Sequence, residues 1–202
     1  MSKLYSDSHR NLQRRFDSER LAERLEQRLC RDHLTEDDRH FIESLDMFFL
    51  ATVNGAGQPS CSYKGGDPGF VRVIDEHTLV FPNYDGNGMY LSMGNVASHA
   101  QVGLLFIDFA RPQRLRIHGT ARIIEADSLT PAYSGAQFAV SVIVQHPFPN
   151  CPRYVHFWQK TASSQYVPRA GERAPVPNWK RSSWASDVLP AGDPARQPDE
   201  AG

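Results

Sequence analysis

Residues 78–108 read TLVFPNYDGNGMYLSMGNVASHAQVGLLFID, and they decide the fold. Thr78 to Phe81 is β-branched and apolar, as a strand requires. The seven residues that follow, PNYDGNG, are turn formers, and Gly86 and Gly88 can take a positive φ. Asn87 is placed to cap a helix whose buried face is predicted from Met89, Met93, Val96 and Ala100. Residues 102–107, VGLLFI, form an apolar run short enough for a strand covered on both faces. The stretch therefore reads strand, turn, short helix, strand. A polar, glycine-bearing loop that enters a helix N-terminus can hold an anion. The first-turn N–H groups are unpaired there and the helix dipole is positive.

Working outward, residues 48–53, FFLATV, predict a strand, and Asn54-Gly55 marks a turn. Ser60-Cys-Ser-Tyr-Lys64 alternates, with Ser60, Ser62 and Lys64 on one face and Cys61 and Tyr63 on the other. A polar face carrying a lysine inside a core domain needs something polar to meet. Cys61, on the apolar side, is expected to be a small buried hydrophobe. Residues 65–69 form a loop, 70–74 a strand and 75–77 a turn. Downstream, 115–123 alternates cleanly. Leu115, Ile117, Gly119, Ala121 and Ile123 share one face; Arg114, Arg116, His118, Thr120 and Arg122 share the other. Residues 131–137 read as a loop or short helix and 138–144 as a strand. Residues 146–152, HPFPNCP, read as a proline-locked loop, and 153–158 as a last short strand. Short strands, hairpin turns and one internal helix predict a mainly β fold with flanking helices, an antiparallel barrel or sandwich.

Residues 9–31 predict one amphipathic helix, packed by a single stripe or docked on a second chain. Thr35 is the expected N-cap of a helix that buries Phe41, Ile42 and Leu45. From residue 168 the chain turns rich in Pro, Ala and Gly. Trp179 and Trp184 are expected to pin part of it, and 190–202 to be mobile. Three regions result: a helical segment (1–34), a barrel domain (35–167) and a tail (168–202). With 202 residues the chain can bury a real core. A net charge of −1 offers no broad basic field, so nucleic acid is set aside as a partner. Three cysteines without a CxxC pair predict free thiols in a reducing compartment. No run approaches membrane-spanning length, so a soluble, cytoplasmic protein is expected. His99, His146 and His156 lack metal-ligand spacing, and no metal is expected. His118 suits proton transfer by its pKa but more readily serves as a hydrogen-bonded structural residue. No catalytic set has a recognisable signature, so catalytic residues stay unassigned.

The segments FFLATVNGAGQPSCSYKGG, TLVFPNYDGNGMYLSMGNVASHAQVGLLFID and QRLRIHGTARII, in that order, resemble the FMN-binding split β-barrel of the pyridoxamine 5′-phosphate oxidase-like proteins. The resemblance covers roughly residues 41–158. It implies a homodimer with two FMN sites in clefts between subunits. It also implies that strand 60–64 and loop 83–88 touch the flavin and its ribityl phosphate. Ser62 falls where the oxidases carry an arginine, and Lys64 where the strand passes the isoalloxazine edge; Tyr63 lies between them. Asn83 and Tyr84 match positions that approach the cofactor. Asn87, Gly88 and Met89 fall where a Ser-Arg-Lys-like clamp holds phosphate, and here the bases are missing. The phosphate would then lean on backbone N–H groups, Asn87 and Ser92. Arg114, where a flavin-contacting glutamine is expected, or Arg116 would supply charge. Trp158 is the nearest equivalent of a C-terminal tryptophan that closes the site.

These departures argue against pyridoxal phosphate synthesis. The resemblance implies an FMN-dependent oxidoreductase that meets a small-molecule substrate or electron donor. The alternative is a non-catalytic split barrel that holds FMN or haem. Read alone, Lys64 is an exposed strand lysine and Asn87 an ordinary helix cap; the resemblance turns both toward the cofactor.

Overall fold

The computed structural model describes residues 2–125, 133–172 and 174–196. Seven strands pair antiparallel in one sheet: β1 (Met47–Val53), β2 (Pro59–Gly65), β3 (Arg72–Asp75), β4 (Thr78–Tyr84), β5 (Gln101–Asp108), β6 (Gln113–Ile124) and β7 (Ala136–Asn150). Their order is β2-β1-β5-β6-β7-β4-β3. Phe48 shows how that sheet closes. Its ring stacks on Phe106 of β5 at 5.1 Å and meets Phe81 of β4 edge-on at 5.0 Å. Three strands separate β1 from β4 in the sheet, so the sheet must curl to bring these rings together. Fully burying each such ring stabilises the fold by about 1.5–3 kcal/mol. The curl stops short of pairing β2 with β3. The result is the expected split β-barrel with flanking helices.

The β1–β2 hairpin register fixes which way β2 faces. Phe48, Leu50 and Thr52 are buried, and they lie opposite Lys64, Ser62 and Ser60. Directly opposed residues share a face, so Ser60, Ser62 and Lys64 turn inward. Cys61 and Tyr63 turn outward and are exposed, which corrects the expectation that Cys61 is buried. Apolarity alone pointed the wrong way because the inward face of β2 is the polar one.

Helix α4 (Leu91–Ser98) packs on β1, β2 and β6. It buries Met93 and Val96, and Asn95 Nδ2 donates to Thr52 Oγ1 at 3.0 Å. The helix begins later than expected. Tyr90 occupies the N-cap at φ 49°, and Asn87 Oδ1 instead accepts the Met89 N–H within the loop. Met89 is therefore exposed, and Ala100 lies beyond the helix, where its carbonyl accepts the Ala121 N–H.

Two further corrections concern prolines and a break. The predicted loop at 146–152 is largely strand, because β7 continues through Pro147 and Pro149 to Asn150. The pairing with β4 ends at Ile143, so these prolines need no N–H on that side. The Pro147 carbonyl takes the Arg31 N–H there instead. The helix expected over 9–31 is two, α1 (Asp7–Arg15) and α2 (Glu19–Leu29), broken where Asp17 adopts φ 51°. Arg10 spans the break to Glu23 and Glu26 at 3.7 and 3.9 Å. Helix α3 (Glu36–Ser44) has the predicted cap, Thr35 Oγ1 accepting the Asp38 N–H, and buries Phe41 and Ile42.

Residues 153–158 form no strand but cross the barrel mouth, and the Trp158 N–H donates to the Phe109 carbonyl. The chain then folds back over the barrel as a strap with a short 3₁₀ turn at Asn178–Arg181. Trp179 and Trp184 stack at 5.9 Å. Asp193, expected to be mobile, is buried because Lys180 holds its carboxylate at 2.7 Å. Residues 131–132 of the predicted loop and 197–202 of the predicted mobile end lie outside the described residues. Among the described residues, no helix is long and apolar enough to cross a membrane, and no His, Cys, Asp or Glu group could hold a metal ion.

Candidate functional site

The end of β2, the loop 85–90 and the first turn of α4 converge at one end of the barrel. Ser62 Oγ and Ser92 Oγ share a hydrogen bond of 2.8 Å, which ties β2 to the start of α4. Lys64 follows two residues later on the same inward face, about 6.6 Å along the strand. It is half-buried, and burial pulls its pKa below the ordinary lysine value. Among the described residues no carboxylate pairs with it. Beside it, α4 opens on Tyr90 with no side-chain cap, so its first-turn N–H groups are free of intrahelical partners. A desolvated ammonium without a counter-ion and an uncapped helix N-terminus both call for an anion. The residues present therefore fit a phosphate-bearing cofactor. Lys64, Ser62 and the backbone of 91–93 are the groups that would hold it.

The other predicted residues sort around this core. Asn83 is buried, and its Nδ2 donates to Gln137 Oε1 at 3.1 Å and to the Tyr84 carbonyl at 3.3 Å. Its amide is thus committed to shaping the loop. Tyr84 is half-buried at the cleft wall, where burial and the charge of Asp67 push its phenol pKa up. Asn87 and Gly88 are exposed, with Gly88 at φ 75°, a conformation that suits glycine. Tyr63 points to the opposite face of β2 from Lys64 and is exposed. Arg114 and Lys64 face opposite ways: β6 buries Leu115 and Ile117, which turns Arg114 outward, whereas Lys64 opposes buried Phe48. Arg114 donates to the Cys151 carbonyl, and its Nε is buried without a partner.

Two cavities border this end of the barrel and share Tyr84 and Tyr166. The larger, about 540 Å³, is walled by Tyr63, Gly65, Tyr84, Phe109, Trp158 and Tyr166. Trp158 stacks on Phe109 with ring centroids 4.3 Å apart and planes 12° from parallel. The second, about 440 Å³, lies between the 84–86 turn and the strap, near Arg169, Trp179 and Lys180. Three strap cations fasten it to the barrel: Lys160 to Asp46 at 2.5 Å, Arg169 to Asp67 at 2.8 Å and Lys180 to Asp85 at 2.6 Å. Sequence reasoning missed Gln137, which also accepts from Tyr90 OH at 3.1 Å, and the acids Asp46, Asp67 and Asp85. The acids sit in loops far from their cations in sequence, so no local pattern announces the pairs. Gln137 fell in a stretch read as loop, and only the β7 register turns it toward Asn83.

No curated protein sequence matches the chain. Among solved structures, a candidate pyridoxamine 5′-phosphate oxidase from Lactobacillus delbrueckii is 21% identical, with a TM-score of 0.49 over 59% of this chain and 98% of that one. HupZ of Group A Streptococcus is 18% identical, with a TM-score of 0.47 over 57% and 93%. An FMN-binding protein from Syntrophomonas wolfei is 10% identical, with a TM-score of 0.44 over 69% and 97%. Likeness at this level bears on neither ligand nor activity. A sequence model of the family described as pyridoxamine 5′-phosphate oxidase matches residues 34–149, more than half of the chain and nearly all of the barrel. The chain belongs to the pyridoxamine 5′-phosphate oxidase family.

Proposed function

We propose that the protein is an FMN-binding oxidoreductase acting on a small organic substrate or electron donor, and that it works as a homodimer with its sites at the subunit interface. The observation that carries this reading is Lys64: a half-buried cation with no counter-ion among the described residues, on the strand that Ser62 ties to an uncapped helix N-terminus, in a member of this family. Bound FMN would supply the hydride and electron transfer. The chain's part is to bind and to orient. Lys64 places positive charge where a reduced flavin carries negative charge, and the 91–93 backbone receives the phosphate. Asn83, locked by Gln137, holds the loop in shape. Arg114 lies on the outward face of β6, where a second copy would bring it to a shared cofactor site. The outward faces of β1 and β2 leave Val53 and Tyr63 exposed for such a contact.

An absorbance spectrum of the purified protein tests this reading. Flavin bands that bleach with NADH or NADPH and return in air support an enzyme. Flavin bands that resist reduction by either make the chain a carrier, and a Soret band makes it a haem protein. A stable flavin-bearing monomer at micromolar concentration in sedimentation would remove the shared-site proposal.

A further inference from the structure

The 540 Å³ cavity is lined by Tyr63 and Gly65, on the side of β2 opposite Lys64. Its walls include five aromatic rings, and the strap supplies two of them, Trp158 and Tyr166. One face of Trp158 is covered by Phe109, yet the indole remains 61% exposed. The rest of that ring is thus presented to the cavity and to solvent, ready to extend the stack. The phenols of Tyr63 and Tyr84 are neutral at physiological pH, as tyrosine side chains are. The charges at the rim are satisfied from within: Asp46 by Lys160, and Asp108 by Arg111 at 3.1 Å. A charged ligand would have to break one of these pairs or trade its hydration for the neutral side chains of Gln159, Ser163 and Ser164, with no opposite charge to meet it. A neutral ligand would do neither.

We infer that this cavity binds an uncharged, planar aromatic molecule of about two fused rings, stacked on Trp158. The volume falls within the range of small-molecule sites, roughly 300–1,000 Å³. Offset stacking on an aromatic face is favourable beyond the area it buries. The role of this ligand, as redox partner of the flavin, rests on the function proposed above; its binding does not. Tyr84 separates the cavity from the cofactor loop, and Gly65 and Gly66 run along its edge directly after Lys64. A ring stacked on Trp158 therefore shares the Tyr84 wall and the end of β2 with the proposed cofactor loop, across the strand from Lys64.

The test is calorimetric titration with 1-naphthol and with its anionic counterpart 1-naphthalenesulfonate, on the full chain with and without FMN. The expected result is that naphthol binds at least 10-fold more tightly than the sulfonate. Trp158→Ala should weaken naphthol binding at least 10-fold, while Phe157→Ala, at an exposed neighbour outside the cavity, should leave it unchanged. Circular dichroism of both variants guards against misfolding, and Trp158→Phe should restore most of the affinity if stacking is the cause. Equal affinity for the two probes, or tighter sulfonate binding, overturns the inference. So does a Trp158→Ala protein that binds naphthol like the parent. No naphthol binding, with Trp158→Ala shifting the monomer–dimer balance, would show that a second copy fills the cavity and would equally overturn it. A protein that takes up no FMN but shows the expected naphthol pattern removes the flavin reading and leaves this one standing.

Discussion

Replacing Lys64 by methionine should strengthen the empty protein and weaken its hold on FMN. Methionine keeps the length of the side chain and removes its charge. In the folded chain burial depresses the lysine pKa with no carboxylate to offset it. The unfolded value is near 10.4. Below the folded value both states carry the proton, and the folded state bears the whole desolvation penalty. The penalty fades as pH rises from the folded value to the unfolded one. At pH 7 it is therefore present, and Lys64→Met removes it. The cofactor side runs the other way. Losing one charge-assisted hydrogen bond costs about 1.5–3 kcal/mol. At 1.4 kcal/mol per decade, that is about a 10- to 150-fold rise in the Kd for FMN. Thermal denaturation of the flavin-free protein and a fluorescence titration with FMN read the two effects separately. A Tm that rises together with a Kd that rises supports the account. A Kd within about 3-fold of the parent's would refute the role of Lys64 as anion ligand, and a lower Tm would refute the claim that its charge stands unpaired.

Three further expectations follow from the geometry. Thr35→Ala removes a side-chain cap from α3 and should cost about 1 kcal/mol in denaturant unfolding, with no change in flavin affinity. Gly119→Ala would set a methyl 2.6 Å from the Ile143 carbonyl oxygen and 2.8 Å from Val142 Cγ1, at the β6–β7 bulge. Overpacking of that kind should destabilise the barrel by about 1–3 kcal/mol, and an unchanged Tm would mean the bulge can yield. Acid should loosen the strap before the barrel. The Arg169 hydrogen bond holds the Asp67 pKa below the usual value, and at Asp193 the Lys180 contacts outweigh burial to do the same. Both contributions are complete above the unfolded carboxylate value near 3.9 and disappear as pH falls through the folded values. Tryptophan emission should therefore change below about pH 4 while far-UV circular dichroism still reports strand; simultaneous loss of both signals would count against it.

The barrel was legible because its strands carry local signals. Alternation marked β2 and β6, and the unbroken run at 102–107 marked β5. Where the sequence reading failed, a non-local fact decided. The inward sense of β2 depends on which residues of β1 lie opposite, and no feature of Ser60-Cys-Ser-Tyr-Lys64 states it. The prolines of β7 signal a loop by themselves, and are tolerated in a strand only because β4 ends earlier. Asn87 is a favoured cap residue, but it spends its side chain on Met89, three residues short of the helix cap. Of the proposed site, Ser62, Lys64 and Ser92 were named from the sequence; Ser62 bonds to Ser92, and Lys64 shares the inward face of β2 with Ser62. Arg114 was named with them and lies across the sheet. The strap cations belong to a stretch whose composition reads as tail. Their partners are single acids in loops at 46, 67 and 85, so only the folded chain shows the pairs.

Those pairs bear on the substrate. Pyridoxamine 5′-phosphate would need a second phosphate site beside the cofactor's, and a phosphate dianion normally recruits fixed arginine or lysine donors. Ser62, Gly88 and Met89 are neutral. Of the C-terminal cations, Lys160, Arg169 and Lys180 are each already held by a carboxylate at 2.5–2.8 Å, which leaves Arg153 outside these pairs. Recruiting any of the held cations strands an aspartate beside the incoming dianion. For Lys180 it strands two, Asp85 and Asp193, the second of them buried. Truncating a buried charge pair typically costs 3–5 kcal/mol, and taking its cation away has the same consequence for the acid left behind. Lys64 is a half-buried cation without such a partner among the described residues, and the proposed cofactor claims it. Family membership alone thus does not equip the chain for the family's namesake substrate. In a steady-state assay in air the kcat/KM for pyridoxamine 5′-phosphate should fall below the ~10⁴ M⁻¹s⁻¹ floor of enzymes on their own substrates. A value above that floor would mean that a strap cation changes partners on binding. Asp67→Asn and Asp85→Asn, which free Arg169 and loosen Lys180, should then raise the activity further.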